Sequence, residues 1–184
     1  MEQNRRQKNK PREIKSVYSP CQITKRVLLP VTAVGENIVQ TLERTVSSMV
    51  SGLCIVEGYV KPGTVKVITY SSGIVSGSNI LFDVVFNCEV CFPVAGMNIN
   101  CVAKNIIKAG IEAESADESP SPFILYVLRD HYYADDYFNS VKENDKFIAR
   151  VLSQRFELND KYVTIIAELV SQKESQPTKP RLIL

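Results

Sequence analysis

Tryptophan is absent from this chain and histidine occurs once, at His131. A single imidazole excludes a multi-histidine metal site and any chemistry that needs a histidine pair. No apolar run approaches the roughly 20 residues that cross a membrane as a helix. The basic N-terminus has no apolar stretch behind it of the kind a secretory signal requires. The glycine patterns that cradle phosphates or expose a nucleophile are missing as well, with no Gly-x-x-x-x-Gly-Lys, no Gly-x-Gly-x-x-Gly and no Gly-x-Ser-x-Gly. These absences predict an intracellular protein with no catalytic residues, no cofactor and no membrane partner.

What is present is ordinary globular usage, 45% hydrophobic and 23% charged over 184 residues, enough for one domain or two small ones. The charge is segregated along the chain. Residues 1–15 hold six bases (Arg5, Arg6, Lys8, Lys10, Arg12, Lys15) against Glu2 and Glu13, a net +4. Residues 171–184 are net +2, and 16–170 carry 13 bases against 17 acids, a net −4. The formal +2 is the sum of a mildly acidic body and two basic ends. Strong phosphate contact is therefore expected from Arg5–Lys15 before any other part of the chain.

The pattern divides the chain into a flexible basic arm (1–20), an N-terminal domain (21–96), a second domain (97–170) and a tail (171–184). In the first domain, Lys25–Val31 reads as extended, and Ile38, Leu42, Val46 and Met49 form one helical stripe that Gly52 ends. Cys54–Val60 reads as a strand, Lys61-Pro62-Gly63 as a turn and Thr64–Tyr70 as a β-branched return strand. Gly73, Gly77 and Ser78 mark a loop. Residues 81–92 alternate with period two, with Phe82, Val84, Phe86, Cys88, Val90 and Phe92 on one face. The fold class predicted for this part is α+β, a curved antiparallel sheet covered by one helix. In the second part, strands are predicted at Asn98–Ile107, Ile111–Glu114, Phe123–Leu128, Lys146–Phe156 and Tyr162–Val170. Five short strands in so few residues suit a small closed all-β barrel such as an OB-fold.

Cys88-Glu89-Val90-Cys91 has the spacing of a zinc or redox pair, but it lies in an alternating strand. Positions three apart then point to opposite faces, so these cysteines read as core thiols. His131 with Asp130, Asp135 and Asp136 reads as a solvated loop, since no nucleophile or pocket is signalled nearby. On a barrel face, Lys104, Lys108, Lys146, Arg150, Arg155 and Lys161 could line a groove for single-stranded nucleic acid. Against this, residues 112–145 hold nine acids and two bases, a field that repels phosphate.

The order of elements resembles a known family. The path Val27–Val34, a helix over 36–50, Val50-Ser51-Gly52-Leu53-Cys54, Glu57-Gly58-Tyr59-Val60, a long strand and then an OB-fold is similar to the stalk subunit of multisubunit DNA-directed RNA polymerases. That family comprises the seventh subunit of polymerase II and its archaeal counterpart. The likeness covers about residues 24–170. Val102-x-x-Asn105-Ile106-x-x-Ala109-Gly110-Ile111-x-Ala113 looks like the opening strand pair of that family's barrel. Thr69–Val75 and Gln154–Asp160 look most like the versions in large DNA viruses.

The resemblance implies a non-catalytic subunit that docks on the large polymerase subunits through its N-terminal domain and sets the OB-fold beside nascent RNA. In cellular enzymes a smaller stalk subunit accompanies it. Gly58, Tyr59, Lys61, Pro62, Gly63, Tyr70, Gly73 and Ile74 would then dock on the polymerase. Lys104, Lys108, Tyr126, Arg150 and Arg155 would bind RNA weakly; Ile111 stands where related barrels often carry a stacking aromatic. The implied location is the nucleus, or a viral factory or virion. The rival reading is a free-standing OB-fold RNA-binding protein.

Overall fold

The computed structural model describes residues 16–131 and 136–170. One pair of strands organises the N-terminal part. β1 (Tyr18–Pro30) and β6 (Asn79–Cys91) each run 13 residues and pair antiparallel in unbroken register, from Tyr18 opposite Cys91 to Pro30 opposite Asn79. On the far side of β6 three short strands follow one another along its length. β3 (Gly58–Val60) pairs at Val90 and Cys91, β4 (Lys66–Tyr70) at Val84–Asn87 and β5 (Ile74–Ser76) at Asn79–Leu81. β2 (Cys54–Ile55) completes the sheet by pairing with β3.

The α-helix α1 (Ile38–Val50) lies on one face of this sheet. Leu42, Val46 and Val50, spaced by four, are fully buried against Val27 and Leu29 of β1 and the alternating Phe82, Val84 and Phe86 of β6. Truncating Leu42 or Leu29 to alanine costs about 2–5 kcal/mol, and Phe82 or Phe86 about 3–5 kcal/mol. The predicted stripe is shifted at its end, with Val50 inside and Met49 40% exposed. A step of four at every interval keeps to the buried face here, whereas a last step of three leads away from it.

The second part is a closed five-stranded barrel. β7 (Asn98–Ile107), β8 (Gly110–Ser115), β9 (Phe123–Leu128), β10 (Lys146–Arg155) and β11 (Val163–Leu169) close in the order β7-β8-β9-β11-β10. All neighbours are antiparallel except β9 and β11. Inward positions alternate along each strand (Phe123, Leu125 and Val127; Val163, Ile165 and Ala167) and fill the interior with side chains. The short helix α2 (Asp136–Ser140) adds Phe138, which is buried in the same core. The barrel is compatible with the OB-fold expected from the sequence.

Several local readings change. β1 begins at Tyr18, so it takes in the last residues assigned to the arm. The run Cys54–Val60 is a two-strand hairpin, with Cys54 opposite Tyr59 and Ile55 opposite Gly58. Gly58 makes this possible: its φ is +124°, and a Cβ there would stand 2.5 Å from the Cys91 carbonyl oxygen. The loop assigned around Gly73–Ser78 contains β5. Phe92 lies beyond the end of β6 and is exposed, its ring edge-on to Phe156 at 6.1 Å. Among the described residues no helix is long and apolar enough to cross a membrane.

Cys88 and Cys91 do point to opposite faces of β6. Cys88 is buried with the α1 core and Cys91 with the barrel core, so they cannot share a metal ion. Burial pushes the thiols up, to about 11 for Cys54 and Cys88 and about 12 for Cys91 and Cys101. Thiols held protonated in this way are inert packing groups at neutral pH.

Candidate docking end and candidate nucleic-acid face

The eight residues expected to dock separate to opposite ends of β6. β3 pairs at Cys91 and β5 at Leu81, ten residues apart along the strand, a separation of about 33 Å at the usual rise.

At the barrel end, the groups are already occupied within the chain. Tyr59 is only 4% exposed and belongs to the barrel core along with Cys54 and Cys91. Lys61 Nζ lies 3.1 Å from Glu118 of the barrel and 3.6 Å from Glu89 of β6, and 4.6 Å above the Tyr18 ring. The hydrogen bond to Glu118, ahead of the two carboxylate charges, raises the Lys61 pKa. The Cys54 N–H donates to the Asp160 carbonyl (2.7 Å) and the Asn159 N–H to the Cys54 carbonyl (2.8 Å). These contacts fasten the sheet to the barrel. Pro62 and Gly63 are exposed in the turn beside them.

The distal end has the reverse character. Leu28, Leu81 and Ile74 face one another across β1, β6 and β5 on the side away from α1. Leu28 is 53% exposed, Ile74 65% and Val75 73%, with Val31, Ile68 and Tyr70 exposed close by in the chain. Gly73, at φ +74°, has no room for a Cβ, which would stand 2.8 Å from both Ile80 and Phe82. The Tyr70 ring meets Phe82 edge-on at 6.0 Å. The Arg26–Asp83 pair (3.3 Å) closes this apolar area toward the middle of the sheet. Tyr70, Gly73 and Ile74 were expected here; Leu28, Val31 and Val75 were missed. The signal was Ile74-Val75 bracketed by Gly73 and Gly77, the mark of a short hairpin strand.

On the barrel, three of the expected cations are paired with carboxylates. Lys104 lies 3.5 Å from Glu114, Arg150 3.2 Å from Glu168 and Arg155 3.3 Å from Glu157. Tyr126 stands between Glu112 of β8 and Ile166 of β11. Its hydroxyl is pushed up first by burial and then by the Glu112 carboxylate. Lys108 is exposed in the β7–β8 turn. A cavity of about 490 Å³ opens between Lys104, Glu114, the 115–121 loop and Tyr162. Tyr162 is an exposed aromatic that the sequence reading passed over. Exposed ion pairs of this kind are worth at most about 1 kcal/mol, so they do not prevent phosphate binding, but they cancel the field that would attract it.

His131 with Asp130, Asp135 and Asp136 cannot be judged as a cluster, because Asp135 and the side chains of His131 and Asp136 lie outside the described residues. Among the described residues no group of three or more His, Cys, Asp or Glu is placed to hold a metal ion. The basic arm Arg5–Lys15 and residues 171–184 also lie outside them.

Fold and surfaces define a mostly β protein, a helix-backed sheet fastened to a closed barrel, with an apolar distal end and a barrel face of paired charges. No protein-family model matches the chain. The chain is 26% identical to a protein of Acanthamoeba polyphaga mimivirus that carries the provisional name of a DNA-directed RNA polymerase subunit. That alignment covers 89% of this chain and 87% of the relative.

Proposed function

We propose that this chain is a subunit of a DNA-dependent RNA polymerase with no catalytic residues of its own. Its sheet would dock on the large polymerase subunits at the distal end. Its barrel would project beside the exiting transcript, in the manner of a stalk subunit, in the nucleus or a viral factory. Likeness to a viral protein named as a polymerase subunit, across both the sheet and the barrel, carries the polymerase reading. The apolar row Leu28–Leu81–Ile74, open at Leu28 and Ile74, supports the choice of docking surface, because an apolar surface patch marks a protein contact. The rival, a free-standing RNA-binding protein, finds little support on the barrel face, where Lys104, Arg150 and Arg155 are each paired with a carboxylate.

The test is affinity purification of the tagged full-length chain from native extract, followed by identification of what comes with it. Large polymerase subunits are expected with the parent chain and not with a variant carrying Ile74→Asp and Val75→Asp. Undiminished association of the variant would remove the distal end as the docking surface. A parent chain that runs alone would remove the polymerase reading itself.

A further inference from the structure

Among the described residues the outer edge of β1 is a long unpaired strand edge. This strand pairs with β6 on one side over all 13 residues, and among the described residues nothing pairs with its other side. Strands average about 5–6 residues, and edge strands are usually shortened, bulged or covered because open N–H and C=O groups recruit another strand. β1 is neither short nor bulged; its edge is guarded only by the charges Lys25 and Arg26 and by prolines at its two ends. Its register is unbroken, without a bulge. Its prolines, Pro20 and Pro30, stand at the two ends and leave Cys21–Leu29 uninterrupted between them.

We infer that Cys21–Leu29 is a strand-addition site for an extended segment of a partner protein that carries a carboxylate opposite Lys25 and an apolar residue opposite Leu28. The edge supplies main-chain hydrogen bonds, and the side chains beside it supply the selection. Lys25 has no carboxylate within ion-pair distance among the described residues, and Arg26 has only the exposed Asp83. Leu28 continues into the apolar row formed with Leu81 and Ile74, so the distal end of the edge favours an apolar neighbour.

The same charges argue against a second copy of this chain as the occupant. The antiparallel self-pairing with greatest overlap of Cys21–Leu29 sets Lys25 directly opposite its own copy, and like charges directly opposite destabilise a strand pair. The edge thus carries its own discrimination, repelling itself and accepting an acidic strand. The inference stands on edge geometry and charge and does not depend on the polymerase reading.

The experiment uses the full-length chain labelled with 15N. The probe is a blocked nine-residue peptide of alternating valine and threonine with one glutamate at its centre. The control is the same peptide N-methylated at alternate amides to remove the donors that would face β1. At about 1 mM probe, alternate amides within Cys21–Leu29 should exchange about tenfold more slowly, and the methylated peptide should leave them unchanged. Lys25→Glu combined with Arg26→Glu should weaken the glutamate peptide about tenfold and strengthen one with a central lysine. No slowing, or binding that leaves these amides untouched, would overturn the inference. So would amides already protected in the free chain, which would mean the chain covers its own edge. Self-association that protects the same amides would assign the edge to a second copy instead.

Discussion

The two ends of β6 use the same strand in opposite ways. At Cys91 most neighbours are satisfied inside the chain, Phe92 and Val56 excepted: Tyr59 and Cys54 are buried, Lys61 bridges two carboxylates, and two backbone hydrogen bonds tie β2 to the turn before β11. At Asn79–Leu81 the flanking Leu28, Ile74 and Val75 are apolar and open to solvent. An end with its polar groups paired and its apolar groups buried contributes to folding. An end with exposed apolar groups contributes little to folding and is available for association. Stability and assembly should therefore separate along a single strand.

The largest effect should come from the satisfied end. Tyr59→Ala removes a buried ring at the junction of sheet and barrel and is expected to cost roughly 3–5 kcal/mol in urea unfolding. If Tyr59 were instead a docking residue, stability would stay near the parent value and only association would fall. Ile74→Asp with Val75→Asp should show the opposite behaviour. Stability is expected to change by less than about 1 kcal/mol, with loss of the co-purifying subunits. A large loss of stability in that variant would mean that the distal end is part of the core, and the contrast would collapse.

Alkaline pH sharpens the same contrast. The four buried thiols lie in the two cores and none lies at the distal end. Their folded pKa values are raised from 9.0 to about 11 or 12, so the unfolded chain releases these protons first. Stability is then fully present below pH 9 and falls as pH rises through the folded values. The slope is up to about 1.4 kcal/mol per pH unit for each titrating thiol. Lys61, also raised, acts with the same sign. Urea midpoints measured between pH 8 and about 11 should fall steadily, and Cys101→Ala should flatten the curve. A midpoint independent of pH in that window would contradict the burial assigned to these groups.

Much of the local structure was legible because it is written in short-range periodicity. Phe123–Leu128 coincides with β9, and the alternation from Phe82 to Val90 gives both the length and the inward face of β6. What was not legible depends on pairing partners far along the chain. Nothing local tells that Cys54–Val60 folds back on itself; that follows from the approach of Gly58 to the carbonyl of Cys91, 33 positions further along the chain. The same blindness merged Gly58–Gly63 with Tyr70–Ile74 into one expected docking surface. Closeness in sequence suggested one site, whereas β6 draws the two segments to its opposite ends. On the barrel, Lys104 and Arg150 were visible in the sequence but their partners on neighbouring strands, Glu114 and Glu168, were not, since register decides which charges meet.

The smallest expected effect tests that last point. Lys104 and Lys108 are four residues apart, yet Lys104 is held at 3.5 Å by Glu114 and no ion pair among the described residues holds Lys108 in the turn. A phosphate that recruits Lys104 must displace a carboxylate and then tolerate it nearby, while one that meets Lys108 faces no such exchange. Lys108→Ala should therefore weaken binding of a single-stranded RNA more than Lys104→Ala, by about twofold to threefold at low salt. Removing one true phosphate contact should also reduce the slope of log affinity against log salt by about 0.7. Glu114→Gln should raise affinity and make the two lysines equivalent. Equal losses from the two lysine variants in the parent chain would show that the Glu114 pair does not restrain Lys104 in solution. The barrel face would then be a better nucleic-acid surface than its paired charges indicate.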